Sequence, residues 1–140
     1  MPDNTDSIER SIFIALPPEE VFRYLVEPTL MARWIGRSHE LEPRPGGRFR
    51  VEVSNGNIAC GRYVEVVAPW RVAFTWGWES QEGDLAVLPP GASLVEVDLE
   101  VKDSGTLLRL RHSRLPADLA GRHGERWSFY LANLQAMATT

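Results

Sequence analysis

The stretch TLLRLRHSRLP, residues 106–116, puts an imidazole where an apolar side chain is expected. Leu108, Leu110 and His112 alternate with Leu107, Arg109 and Arg111, so in a strand His112 shares the face of the two leucines. An inward imidazole is costly unless it finds partners. Two chemistries fit. The simpler is a neutral histidine satisfied by a backbone carbonyl, a tyrosine or an indole of its own fold. The other is a ligand hydrogen bond, or a general base, in a cavity.

Trp34, Phe49, Phe74, Trp76, Trp78, Trp127 and Tyr130 are candidates for the same interior. Five tryptophans in 140 residues is a heavy load. Such rings fill cores, but they also line pockets, where indole N–H groups and the Tyr130 hydroxyl would be the polar anchors of an apolar site. The remaining groups offer less. Cys60 shares parity with Ile58, Val64 and Val66 and reads as an inward small hydrophobe, with no neighbouring cation in sequence to make it a nucleophile. Arg62 breaks that alternation, either through a bulge or by reaching the cavity rim. His39 and His123 fall near predicted loops and form no HxxxH or HExxH spacing with His112, so no metal site is expected. Gly46-Gly47 precedes a strand, not a helix, and is no phosphate loop. With no GxSxG and no serine-histidine-acid set, neither a cofactor nor a catalytic residue is expected, except His112 if the protein is an enzyme.

The elements that must position these groups are legible. Residues 6–16 read as a strand. Pro18, Glu19 and Glu20 suit the first turn of a helix that Pro28 ends, and the two acids need no role beyond the helix dipole. Residues 29–36 read as a second short helix, with Thr29 as N-cap and Gly36 as stop. Strands follow, with a hairpin signal at Asn55-Gly56. In WRVAFTWGW, Val72, Phe74, Trp76 and Trp78 share a face. Residues 79–92 form a long acidic, Gly- and Pro-bearing loop. Val95, Val97, Leu99 and Val101 share a face, and KDSG turns the chain into the His112 strand. The outward acids of this hairpin's first strand could pair with the outward arginines of its second. Trp127, Tyr130, Leu131 and Leu134 mark one stripe of a helix, whose ordered part is expected from about Glu125 because Gly121 and Gly124 precede it. The order predicts an α+β fold in one domain spanning 1–140, with six to seven antiparallel strands curled around a long C-terminal helix.

Bulk properties agree. A net charge of −4 supplies no basic stripe, so nucleic acid is not an expected partner. One cysteine excludes an internal disulfide and a thiolate zinc cluster. No signal-peptide pattern opens the sequence, no apolar run reaches membrane-spanning length, and a soluble cytoplasmic protein is the expectation. MATT closes the sequence inside a predicted helix, so the natural chain is expected to continue a little.

ALPPEEVF (15–22), Trp34, LEPRPGGRF (41–49), GRYVEVVAPWRVAFTW (61–76), PPGASLVEVDLE (89–100), GTLLRLRHSRLP (105–116) and GERWSFYLANL (124–134) occur in an order that resembles the START-related helix-grip superfamily, also called SRPBCC. Within it the chain is similar to AHSA-type proteins, bacterial single-domain relatives of the C-terminal domain of the heat-shock-protein-ninety ATPase activator. The family helix often has Gly before its Trp, where this chain has Arg126. The eukaryotic activator carries an additional N-terminal domain, absent from this sequence, so a chaperone partner is not expected.

The resemblance implies a helix-grip fold and a cavity between sheet and helix for a small hydrophobic or amphipathic molecule. His112, Trp34, Phe49, Phe74, Trp76, Trp78, Trp127 and Tyr130 are the expected ligand contacts, with the 79–92 loop and the 29–36 helix near the entrance. Binding without catalysis is the leading expectation. The alternatives are a cyclase or dehydratase using His112 as base, and a chaperone-linked interaction module. A homodimer is compatible with the sequence.

Overall fold

A computed structural model describes residues 5–54, 57–79 and 88–137. Strand β1 (Thr5–Ile14) leads into helix α1 (Pro18–Val26) and the one-turn helix α2 (Pro28–Met31). Strands β2 (Arg37–Leu41), β3 (Arg48–Ser54), β4 (Asn57–Val67), β5 (Arg71–Trp78), β6 (Ser93–Lys102) and β7 (Gly105–Pro116) follow, and helix α3 (Ala117–Met137) closes the described chain. The seven strands form one sheet in the order β1-β7-β6-β5-β4-β3-β2, every pair antiparallel. Strands β2 to β7 are thus a meander, and β1 returns to the far edge beside β7. Helix α3 lies across the sheet against β1 and β7, while α1 packs near β6 and β7. This is the α+β architecture expected from the order of elements, and the helix-grip fold that the resemblance implies.

Each strand gives one parity to the core. Phe49 and Val51 of β3, Val72, Phe74 and Trp76 of β5, Val95, Val97 and Leu99 of β6, and Leu108 and Leu110 of β7 are all buried against the helix side. The other face is charged and partly solvated. There Arg71 gathers Glu65, Glu96 and Asp98, while Arg109 pairs with Glu100 and Arg111 with Glu9. Glu96 and Asp98 therefore meet an arginine of β5 in place of the β7 arginines expected from the hairpin alone.

Three local readings change. Helix α2 starts at Pro28, with Glu27 rather than Thr29 as N-cap, and ends at Met31. Proline at the first helical position opens a helix there instead of only stopping α1. Helix α3 begins at Ala117, eight residues before Glu125. Gly124 serves close packing in that helix, since a Cβ on it would lie 2.5 Å from Arg10 Nη2. Finally, β4 faces the core cluster through Ala59 and Tyr63; Cys60 is buried as expected, but on the other side of the strand beside Arg50 and Arg62, and Val64 is exposed. Tyr63 packs edge-on to Phe49 and Phe74, and a register shift between Tyr63 and Glu65 returns Val66 to the core side. Arg62 is then outward by ordinary alternation, and its Nη1 donates to the Gly46 carbonyl at 2.9 Å. Asn55-Gly56 and most of the 79–92 loop lie outside the described residues; β3 and β4 do pair as a hairpin around the former.

Candidate functional site

The expected site residues are all buried, and most join one continuous set of rings. Phe49 stacks on Phe74 with centroids 4.2 Å apart. Trp76 follows at 5.9 Å from Phe49 and touches Trp78 at 5.4 Å, Trp127 at 5.2 Å and His112 at 5.9 Å. Tyr130 lies edge-on to Trp127 at 6.0 Å. Strand alternation delivers the rings of β3, β5 and β7 to one face, and helical spacing brings Trp127 and Tyr130 down on them. Trp34 is tied elsewhere: its Nε1–H donates to the Tyr24 carbonyl at 2.9 Å, pinning the turn after α2 to α1.

His112 is fully buried, and protein groups occupy both ring nitrogens. Trp127 Nε1–H donates to Nδ1 at 2.9 Å. Nδ1 is therefore the acceptor, which places the proton of the neutral ring on Nε2. That N–H reaches Ser93 Oγ at 2.7 Å, and the Ser93 hydroxyl donates onward to the Trp76 carbonyl at 2.7 Å. The relay is complete without a ligand.

A second imidazole repeats the pattern. His123 on α3 is buried, bonds the Leu119 carbonyl through Nδ1 at 3.0 Å, and accepts Trp78 Nε1–H on Nε2 at 3.2 Å. The two imidazole centroids are 5.4 Å apart and nearly perpendicular. Burial, and then the neighbouring His123, hold the His112 pKa well below its ordinary value; burial does the same to His123. Each ring is an acceptor for an indole, a role an imidazolium cannot fill.

Ser93 and His123 were missed in the sequence, although signals for both exist. Ser93 has the parity of Val95, and it sits diagonally from His112 because Val95 is directly opposite. His123 lies one helical turn before Trp127, a relationship hidden by placing the helix start too late. His39 side-chain placement lies outside the described residues. Among those residues no cluster of histidine, cysteine and acidic side chains could hold a metal.

Two buried donors lack acceptors among the described residues: Trp76 Nε1 and Arg126 Nη1. Arg126 stands over the Trp78 ring, its Cζ 5.2 Å from the centroid. It also lines an open cleft of about 410 Å³ with Val53, Arg122, Glu125, Phe129 and Tyr130, between α3 and the end of β3. A second cleft, about 360 Å³, lies on the outer side of β3 and β4 around Arg50, Cys60 and Arg62. None of the residues lining these two clefts is His112, Trp76 or Trp127. No helix of the described residues is long and apolar enough to cross a membrane.

A seven-stranded antiparallel sheet gripping a C-terminal helix over a buried aromatic face defines a helix-grip, SRPBCC-type protein. Residues 15–139 match the family described as activator of Hsp90 ATPase homolog 1-like protein, and the chain belongs to that family. The AHSA1-like protein of Rhizobium etli is 40% identical, with 96% of this chain and 82% of that chain covered and a TM-score of 0.73. CalU16 of Micromonospora echinospora is 27% identical over 93% of this chain and 74% of its own, with a TM-score of 0.74. The Aha1 dimer of Colwellia psychrerythraea shares the fold at 16% identity, with 95% and 96% covered and a TM-score of 0.77. No curated protein matches the chain.

Proposed function

We propose that the protein binds a small hydrophobic or amphipathic molecule at the junction of α3 and the sheet, without transforming it. The observation that carries this reading is the cleft between α3 and Val53. Its volume, about 410 Å³, falls in the range of small-molecule sites. Phe129 projects from the gripping helix with 63% of its surface exposed, and Tyr130 beside it is buried at the edge of the ring cluster. Burying such surface under a ligand is favourable. In this reading the ring cluster is the rigid wall behind the ligand, and His112 positions Trp127 rather than acting as a base, because both its nitrogens are committed to protein partners.

A thermal-shift and tryptophan-fluorescence screen of fatty, aromatic and polycyclic small molecules tests it. A ligand of the folded state raises Tm in a concentration-dependent way. Val53→Trp, which fills the cleft, is expected to abolish the shift. A panel that moves neither Tm nor fluorescence overturns the proposal, as does a hit that Val53→Trp binds equally well.

A further inference from the structure

We infer that the ligand of this cleft carries a carboxylate, held by Arg126. The inference rests on the proposed binding reading and adds the chemistry of the ligand's polar end. A guanidinium stays charged at any physiological pH and has only donors to offer. Arg126 Nη1 is buried, yet no acceptor within the described residues meets it. A buried N–H of a charged group without an acceptor costs free energy even where the side chain as a whole is only half-buried.

Among the described residues the neighbours do not supply a counter-charge. Trp78 offers its ring face, 5.2 Å from Cζ. His123 is the neutral acceptor of the Trp78 indole, so it is committed. Tyr130 brings a hydroxyl, and Glu125, exposed at the rim, does not reach Nη1.

Nη1 itself has no water-accessible surface, so it is satisfied once the Arg126 side chain, which lines the cleft, turns toward an acceptor-only group there whose apolar body covers Val53, Phe129 and Tyr130. A carboxylate on a fatty or aromatic skeleton has both properties. It would meet the planar fork in a charge-assisted, two-point contact.

The test titrates the full chain with 2-naphthoate and decanoate against their uncharged counterparts, methyl 2-naphthoate and decan-1-ol, read by tryptophan fluorescence. The acids are expected to bind about tenfold or more tightly than the neutral partners, a preference of the size that a charge-assisted bond supplies. Arg126→Gln is expected to erase that preference, and Arg33→Gln, at an exposed arginine that does not line the cleft, to keep it. Arg126→Lys, which retains charge without the fork, covers the case in which Arg126→Gln fails to fold, and is expected to weaken the preference. Equal binding of acid and neutral compound to the natural chain overturns the carboxylate inference and leaves apolar binding standing. So does a preference that survives Arg126→Gln or disappears with Arg33→Gln. Binding of neither kind overturns both readings.

Discussion

Trp127 Nε1 lies 2.9 Å from His112 Nδ1, so the long helix is fastened to the middle of the sheet by an indole–imidazole hydrogen bond. The bond crosses the main interface of the fold, and Ser93 and the Trp76 carbonyl continue it into β6 and β5. His112→Ala removes the acceptor of Trp127, the donor to Ser93 and the volume of a ring. Those losses sum to about 3 kcal/mol of destabilisation, from a buried cavity plus unsatisfied polar groups. Urea unfolding followed by tryptophan fluorescence measures it, and a loss under about 1 kcal/mol would mean the site relaxes around the missing ring.

The paired imidazoles make stability depend on pH in a definite direction. The ordinary histidine value is 6.5, and both His112 and His123 are lowered from it in the fold. Below 6.5 the unfolded chain therefore takes up protons that the folded chain refuses. Stability is fully present above that value and falls as pH drops toward the folded-state values. The slope approaches about 1.4 kcal/mol per pH unit for each histidine. Thermal unfolding from pH 7.5 to 5.5 should show a falling Tm, in a window above the carboxylate range where Glu27 and Glu42, both lowered, would add their own loss. His123→Gln should reduce the slope, since one of the two linked protons is gone. A Tm that is flat through this window would refute the linkage.

The parts of the site that strand parity governs were readable in advance. Leu108, Leu110 and His112 alternate strictly with Leu107, Arg109 and Arg111, whose two charges fix which side is wet, while Val72, Phe74, Trp76 and Trp78 alternate with Arg71, Ala73, Thr75 and Gly77, so there it is side-chain size that marks the core side. Strand β4 resisted the same rule because both its parities carry apolar residues and a bulge after Tyr63 changes the parity mid-strand. Cys60 shares parity with Ile58, Val64 and Val66, which points it inward, but the ring of Tyr63 fits against Phe49 and Phe74 and decides the register, leaving Cys60 buried on the other face. Arg126 could not be understood from sequence at all. What distinguishes it is a missing acceptor, a property of the packed neighbourhood and not of spacing.

The two glycines that obscured the start of α3 differ in what surrounds them, and substitution should separate them. A Cβ on Gly121 meets nothing within 4 Å, so Gly121→Ala should stabilise by about 1 kcal/mol, the helix-propensity difference. A Cβ on Gly124 lies 2.5 Å from Arg10 Nη2, whose Nε donates to Ser128 Oγ at 2.9 Å. Gly124→Ala should displace that guanidinium and cancel most of the propensity gain. Urea midpoints of both variants, alone and with Arg10→Ala, test this. Equal gains at the two positions would show that Arg10 contributes nothing to holding β1 on the helix.

Cys60 is expected to be a slow thiol, although an arginine stands beside it. Burial comes first among the causes and Glu79 second, and together they push the thiol from its ordinary 9.0 up to about 11. Arg50 pulls the other way, but its guanidinium is committed to Glu79, with Nη2 2.8 Å from Oε1, so the ion pair presents little net charge to the sulfur. A rise of that size lowers the thiolate fraction at pH 8 by about a hundredfold, and the thiolate is the reacting form. Alkylation by iodoacetamide should therefore be about two orders of magnitude slower in the native chain than in the same chain unfolded in urea. Glu79→Gln removes the carboxylate and releases Arg50 to favour the thiolate, so it should speed the native reaction while leaving the unfolded rate alone. A native rate equal to the unfolded one would place the sulfur in water. A native rate unmoved by Glu79→Gln would assign the whole shift to burial.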